Sequence, residues 1–75
     1  MEKILFGTVG RIIAGDDAGF YVKVVDDAAN TGGFLILTSD RADMSTGFDN
    51  WVDTKEAVVS FFAESNWEVA WKIDG

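Results

Sequence analysis

Only one segment of this chain has the periodicity of an amphipathic helix, although several others have the composition of strands. The stretch TKEAVVSFFAES, residues 54–65, places its apolar side chains on one stripe and most of its polar ones opposite. The stripe consists of Ala57, Val58, Phe61 and Phe62. Asp53 is expected to be the N-cap, with Glu56 three residues later closing a capping box. The chain therefore has one helix with which to cover any sheet that it forms.

The remaining apolar stretches are rich in β-branched and aromatic residues, as strands are. Strands are predicted over residues 3–13, 20–26, 34–39 and 66–73, and residues 47–52 form either a short strand or an extended approach to the helix. The strict alternation of NWEVAWKI makes the last strand the clearest. The order β-β-β-(β)-α-β predicts an α+β fold, an antiparallel sheet of four to five strands with one helix packed on one face. Residues 1–75 are expected to form a single small domain.

The first three predicted strands are apolar on both sides, and one helix cannot cover both. The helix is expected on the face that bears Trp67, Val69 and Trp71. Each of these strands nevertheless carries apolar residues on both sides: Leu5, Val9 and Ile13 oppose Ile4, Phe6 and Ile12, Tyr21 and Val25 oppose Phe20, Val22 and Val24, and Leu35 and Leu37 oppose Phe34 and Ile36. Strands that are buried on both faces have this pattern. Two interpretations remain open: the second face binds another copy of the chain, giving a homo-oligomer and most simply a dimer, or the sheet curls and closes partly on itself.

The chain is acidic, and this narrows the classes of partner. Six Lys and Arg residues stand against thirteen Asp and Glu residues, a formal charge of −7. The cations are scattered, whereas phosphate backbones are bound by clustered Lys and Arg. Neither a nucleic acid nor a membrane surface is therefore expected as a partner, and a basic protein is favoured. No stretch approaches the roughly 20 apolar residues of a membrane span, and no signal peptide is evident, so a cytoplasmic location is expected.

No motif indicates a catalytic, metal or cofactor site. The chain has no cysteine and no histidine, which removes thiolate ligands, Ser-His pairs and most zinc sites. The acidic residues lie almost entirely in predicted turns and on the polar face of the helix, and the Asp-rich loops depart from EF-hand spacing. The glycines match neither a dinucleotide-binding fingerprint nor a P-loop. The chain is expected not to be an enzyme and to hold neither a metal nor a cofactor.

Acidic and aromatic side chains form the candidate partner-binding site. In a simple meander, the loops after the first and third strands lie at the same end of the sheet, where their carboxylates would steer a cationic partner. The adjacent stretch GFDNWVDTKE adds two aromatic residues among acids, and tryptophan is favoured at binding hot spots. The candidate residues are Asp16, Asp17, Asp40, Asp43, Phe48, Asp49 and Trp51. The alternative interpretation is that the loop carboxylates form an acidic rim at this end of the sheet that serves only solubility.

In size, acidity and lack of catalytic groups, the chain is similar to small bacterial immunity or antitoxin proteins, which bind and block a usually basic toxin. The likeness carries no residue role. The predicted function is a small acidic non-catalytic protein-binding module, with immunity-like inhibition of a basic partner as its most concrete form. Two alternatives stay open. One is a structural or assembly module that self-associates through the apolar sheet face. The other is a small-ligand or enzymatic role in a pocket between helix and sheet, around Trp51, Trp67 and Trp71.

Overall fold

Five antiparallel strands and a helix against one face of their sheet make up the fold. The computed structural model of the protein describes residues 4–71. Within them the elements are, in chain order, β1 (Gly10–Ala14), β2 (Tyr21–Asp27), α1 (Ala28–Thr31), β3 (Gly33–Ser39), β4 (Phe48–Val52), α2 (Lys55–Glu64) and β5 (Glu68–Trp71). The strand order is β4-β3-β2-β1-β5, and all neighbours are antiparallel. The predicted α+β fold is confirmed, and the undecided stretch before the helix is a strand.

The register of the strands divides their side chains between two faces. Strands β2 and β3 pair over seven residues, from Tyr21 opposite Ser39 to Asp27 opposite Gly33. Residues directly opposite each other share a face, and successive residues of a strand alternate between faces. In β2, β3 and β4 the even-numbered residues therefore point toward α2 and the odd-numbered ones point away. The edge strands β4 and β5 do not pair with each other among the described residues, so the sheet is open.

The core lies between α2 and the even-numbered face. Its buried hydrophobic residues are Ile12, Val22, Val24, Phe34, Ile36, Val58, Phe62, Trp67 and Val69. The ring of Phe62 lies with its centroid 4.9 Å from that of Trp67 and 6.1 Å from that of Trp71. Aromatic pairs at these separations contribute beyond the area that they bury. The predicted apolar stripe of the helix and the predicted face of the last strand are both confirmed.

Gly10 has no room for a side chain because Trp71 lies over it. The two residues are opposite each other in the β1–β5 pairing. A Cβ atom on Gly10 would stand 2.7 Å from Cε3 of Trp71. Glycine weakens a strand interior by itself, but here it allows a large ring to close on the backbone and cover it.

The helix begins one residue later than the sequence predicts. The N-cap is Thr54, whose extended backbone (φ −141°, ψ 164°) directs its hydroxyl to accept the Ala57 amide hydrogen at 3.0 Å. The prediction of Asp53 as N-cap, and with it the capping box to Glu56, is wrong. Both Asp53 and Thr54 can cap a helix chemically. The backbone conformation in which the chain leaves β4 decides between them.

The first strand is also shorter than predicted. Strand β1 begins at Gly10, whereas Lys3 lies outside the described residues and residues 4–9 are irregular. Gly7 takes a left-handed conformation (φ 78°), and its amide donates to the Val24 carbonyl oxygen at 2.7 Å. The ring of Phe6 packs edge-on against Phe34, with 5.6 Å between centroids. These residues have the composition of a strand but do not form one, because the Phe6 ring packs on the core face instead.

Two smaller differences concern the ends of other elements. The predicted loop over 27–33 contains the four-residue helix α1, which ends at Gly32 in the left-handed conformation (φ 80°). The alternation predicts the last strand over 66–73, whereas β5 covers Glu68–Trp71, and residues 72 and 73 lie outside the described part.

Candidate interaction surface

The face of the sheet that points away from α2 carries apolar side chains that are not part of the core. The name "open face" is used for seven side chains from β2, β3 and β4: Tyr21, Lys23, Val25, Leu35, Leu37, Asp49 and Trp51. Asp27 and the buried Ser39, each at the end of its strand, point the same way and are not included in the name. None of these apolar residues belongs to the core or packs against it. Helix α2 is the one described helix long enough to cover a sheet, and it lies on the other face. The predicted two-sided apolar character of the strands is thus present in the fold.

The open face is organised in cross-strand rows centred on β3. In one row Lys23 of β2, Leu37 of β3 and Asp49 of β4 are directly opposite one another. In the next row Val25, Leu35 and Trp51 are opposite one another in the same way. Neighbouring strands are about 4.8 Å apart, so the first and last members of a row are separated by about 10 Å at the backbone. The first row therefore has a cation at one end, an anion at the other and leucine between them.

Trp51 is held in place at the edge of the open face. Its Nε1–H donates to the Thr31 hydroxyl oxygen at 2.9 Å. Its ring lies over Gly33, where a Cβ atom would stand 2.6 Å from Cε2 of the indole. Half of its surface, 50%, is nevertheless exposed. An aromatic side chain that is already ordered loses little conformational entropy when a partner covers it.

The rest of the sequence-predicted aromatic patch is divided between two faces. Asp49 and Trp51 point to the open face, whereas Phe48 is opposite Thr38 on the helix side. Phe48 is 72% exposed and is the first residue of β4. It borders an open depression of about 320 Å³ that is formed mainly by the β3–β4 loop, with Met44 in its lining. Alternation along one strand separates the two aromatic residues, so they cannot contact a single flat partner surface together.

The four loop aspartates of the candidate site lie at one end of the sheet. Asp16 and Asp17 are in the β1–β2 turn, and Asp40 and Asp43 are in the β3–β4 loop. Both loops adjoin the end at which Tyr21 and Ser39 pair, as a meander requires. The carboxylates Asp26 and Asp27 lie at the other end of β2.

Several of these aspartates have roles inside their own loops. The Ser45 hydroxyl and its backbone N–H, which donates at 3.0 Å, hold the pKa of the exposed Asp43 carboxyl below its ordinary value of 3.8. The Asp40 carboxylate accepts from the Thr46 hydroxyl at 3.4 Å. Such bonds are the usual reason for aspartate in turns.

The backbone of Asp16, rather than its carboxylate, ties its turn to the core. The Asp16 amide donates to the Ser65 carbonyl oxygen at 3.0 Å, at the end of α2. The Asp16 carbonyl oxygen accepts from Nε1–H of Trp67 at 2.6 Å. The turn is therefore fixed against the helix–sheet core, and the Asp16 and Asp17 side chains remain exposed on it.

The structure adds Lys23 to the candidate surface, which the sequence-based site omitted. Its position between Tyr21 and Val25 on a strand was the available signal, because alternation places all three on one face. The three tryptophans expected around one pocket do not share one. Trp67 and Trp71 contact Phe62 on the helix side, and Trp51 lies on the open face.

Residues 4–71 contain no group of three or more His, Cys, Asp or Glu side chains that could hold a metal ion. No helix within those residues is long and apolar enough to cross a membrane. Comparisons of the chain with protein-family models, with curated proteins and with solved structures find no significant match.

Proposed function

We propose that this chain is a non-catalytic protein-binding module and that the open face is its binding surface. The observation that carries the proposal is the set of apolar side chains outside the core, above all Leu35, which lies between Val25 and Trp51, and Leu37 in the next row. A contiguous apolar patch on one face of a sheet marks an interaction site more often than scattered apolar residues do. Covering such a patch with another protein removes its apolar surface from water.

The composition of the open face suits a protein partner. Charge is absent from its centre and present at its sides, where Lys23 and Asp49 lie. Binding surfaces generally have this arrangement, an apolar centre with a polar rim. Trp51 supplies a fixed, half-exposed aromatic anchor of the kind that contributes strongly to binding. A rigid strand surface also changes little on association, which lowers the entropic cost of binding.

Site-specific photo-crosslinking in the native host tests this proposal. A benzoylphenylalanine residue replaces Leu37 on the open face, and the matched control replaces Val59, which is 57% exposed on α2. A discrete crosslinked protein species is expected at position 37 and not at 59. It should disappear when Leu35→Asp is added, because a carboxylate would then have to be desolvated in the interface. Equal crosslinking at both positions, or none at 37, would contradict the proposal.

A second candidate is binding of a basic protein by the acidic rim, in the manner of an immunity or antitoxin protein, in the cytoplasm. The net charge of −7 and the placement of Asp16, Asp17, Asp40 and Asp43 at one end of the sheet support it. Long-range attraction to such a rim raises association rates and is weakened by salt.

The rim candidate is tested with a panel of basic toxin-class enzymes from the native host and two double variants of equal charge. Asp16→Asn with Asp17→Asn removes half of the rim, and Asp26→Asn with Asp27→Asn removes the same charge from the other end of β2. The first pair is expected to slow salt-sensitive association with a rim-binding enzyme, and the second pair to have little effect. Equal slowing by both pairs would indicate net charge rather than the rim.

A further inference from the structure

We infer that the partner of the open face is a second copy of this chain, bound face to face about a two-fold axis that runs along β3. The inference rests on the proposed function, in which the open face binds protein, and names the partner. It follows from the arrangement of charge in the row that contains Lys23, Leu37 and Asp49.

A two-fold axis parallel to β3 matches the charges of this row to each other. Such an axis keeps β3 over β3 and exchanges β2 with β4, since these strands flank β3. Lys23 of one copy then faces Asp49 of the other, and the same contact occurs a second time by symmetry. Leu37 meets Leu37 on the axis. Each charge that the interface partly desolvates thereby gains an opposite charge.

The apolar row follows the same symmetry. Leu35 meets Leu35 on the axis, and Trp51 of one copy faces Val25 of the other. Two sheets in aligned packing lie about 10 Å apart and cross at about 30°, which allows side chains of this size to interdigitate. Within β2, β3 and β4 the apolar side chains are centred on β3, so an axis over β3 superimposes these parts of the two patches, while Ile13 on β1, 56% exposed, lies outside the overlap.

An axis perpendicular to the strands does not give this match. It would place each strand over the same strand of the second copy, so β2 would lie over β2 and β4 over β4. Asp49 would then have no opposite charge from the facing strand, because β4 contains no cation, and Lys23 could be matched only by Asp27 at the far end of β2. Partly buried charges without a partner carry a desolvation cost that is not recovered. The opposite charges at the two ends of the row therefore favour the axis along β3.

The size of the overlap indicates a reversible dimer. Three strands overlap, and at about 4.8 Å between strands and 3.4 Å per residue the overlap is roughly 14 by 17 Å in plan. This plan area of about 240 Å² per copy is smaller than that of standard interfaces and is typical of a weak, transient one. We expect a dimer that dissociates on dilution, with a dissociation constant on the order of micromolar.

Charge reversal in the purified chain tests the pairing. Lys23→Asp and Asp49→Lys each place like charges across the axis, and each is expected to raise the dissociation constant at least about tenfold in sedimentation equilibrium. Combining both in one chain restores opposite charges and should return the constant to within about threefold of the starting value. Arg11→Asp is the matched control, because Arg11 is on β1 of the same face, at 6.0 Å from the Tyr21 ring, and outside the overlap.

Crosslinking at the axis gives a second, independent measurement. The chain has no cysteine, so Leu37→Cys introduces the sole thiol, with Val59→Cys as its control. A short bismaleimide is expected to couple two copies efficiently through position 37 and not through 59. This readout does not depend on any charge variant folding normally.

The outcomes separate this inference from the proposed function. A chain that is monomeric up to several hundred micromolar, or a dimer that the two reversals affect no more than Arg11→Asp does, would overturn the inference. A dimer that the two reversals do not specifically weaken is expected if two copies instead pair through the free edge of β4. If the purified chain is monomeric but photo-crosslinks another protein at position 37, only the second copy is excluded. Absence of any crosslink at 37 in the host would overturn the proposed function itself.

Discussion

Truncation of two adjacent residues of β3 to alanine should have very different effects on stability. Ile36 is 0% exposed in the core, and its neighbour Leu37 is half-buried on the open face. Both lose similar numbers of carbon atoms when replaced by alanine. The face to which each points, rather than its chemistry, therefore decides the loss in the free energy of unfolding.

The expected magnitudes follow from burial. Replacement of a buried isoleucine by alanine costs about 2–5 kcal/mol, because a cavity remains after the transfer free energy is lost. Leu37→Ala leaves no cavity and exposes little new surface, so a loss of about 1 kcal/mol or less is expected in the monomer. A chain of 75 residues has a total stability of roughly 4–11 kcal/mol, so the first change is a large fraction of it.

Urea unfolding at sub-micromolar concentration, followed by tryptophan fluorescence, measures both losses in the monomer. At about 1 kcal/mol per molar urea, the midpoint should fall by roughly 3 M for Ile36→Ala and by about 1 M or less for Leu37→Ala. If Ile36→Ala does not fold, Ile36→Val should still lower stability by about 1 kcal/mol. Equal losses at the two positions would refute the assignment of the core to the helix side. At several hundred micromolar, only the Leu37 variant should lack the added stability of the dimer.

Three further changes test local features of the fold. Thr54→Ala removes the helix cap and should cost about 1 kcal/mol in thermal or urea unfolding; no loss would refute the cap. Trp67→Phe removes the bond to the Asp16 carbonyl oxygen and should cost about 1–3 kcal/mol, with increased amide exchange in the β1–β2 turn; unchanged exchange would contradict that tie. Ser45→Ala should raise the pKa of Asp43, measured by NMR titration, and an unchanged pKa would refute the role of the hydroxyl. Because the folded pKa of Asp43 is depressed, its contribution is present above pH 3.8 and is lost as the pH falls through the folded value.

Alternation along the strands was sufficient to assign faces. Successive side chains of a strand point to opposite sides, so Leu35 and Leu37 could be separated from Phe34 and Ile36 without any tertiary information. The apolar stripe from Ala57 to Phe62 likewise predicted a helix and the side that it buries. The excess of apolar strand surface over helix, from which the open face follows, is also a property of the sequence alone.

Where two local conformations have similar free energies, the tertiary structure decided which of them forms. Asp53 and Thr54 both have side chains that cap helices, and the extended backbone at Thr54 selects the second. Residues 4–9 have strand-like composition, but packing of Phe6 on Phe34 competes with pairing. Intrinsic β-propensity is too small to resist such contacts.

The sequence by itself determined the class of the fold, the two-sided character of the sheet and the absence of cysteine and histidine chemistry. These depend on each residue and its nearest neighbours. Only the tertiary structure decided that Lys23, Leu37 and Asp49 form one row, and that the stretch before α2 is a strand, which places Phe48 and Trp51 on different faces. Register between strands is set by turn geometry and by the packing of α2 on one face, and a slip of one residue would reverse every side chain. Contacts between distant parts of the chain are therefore not encoded in any short stretch of it.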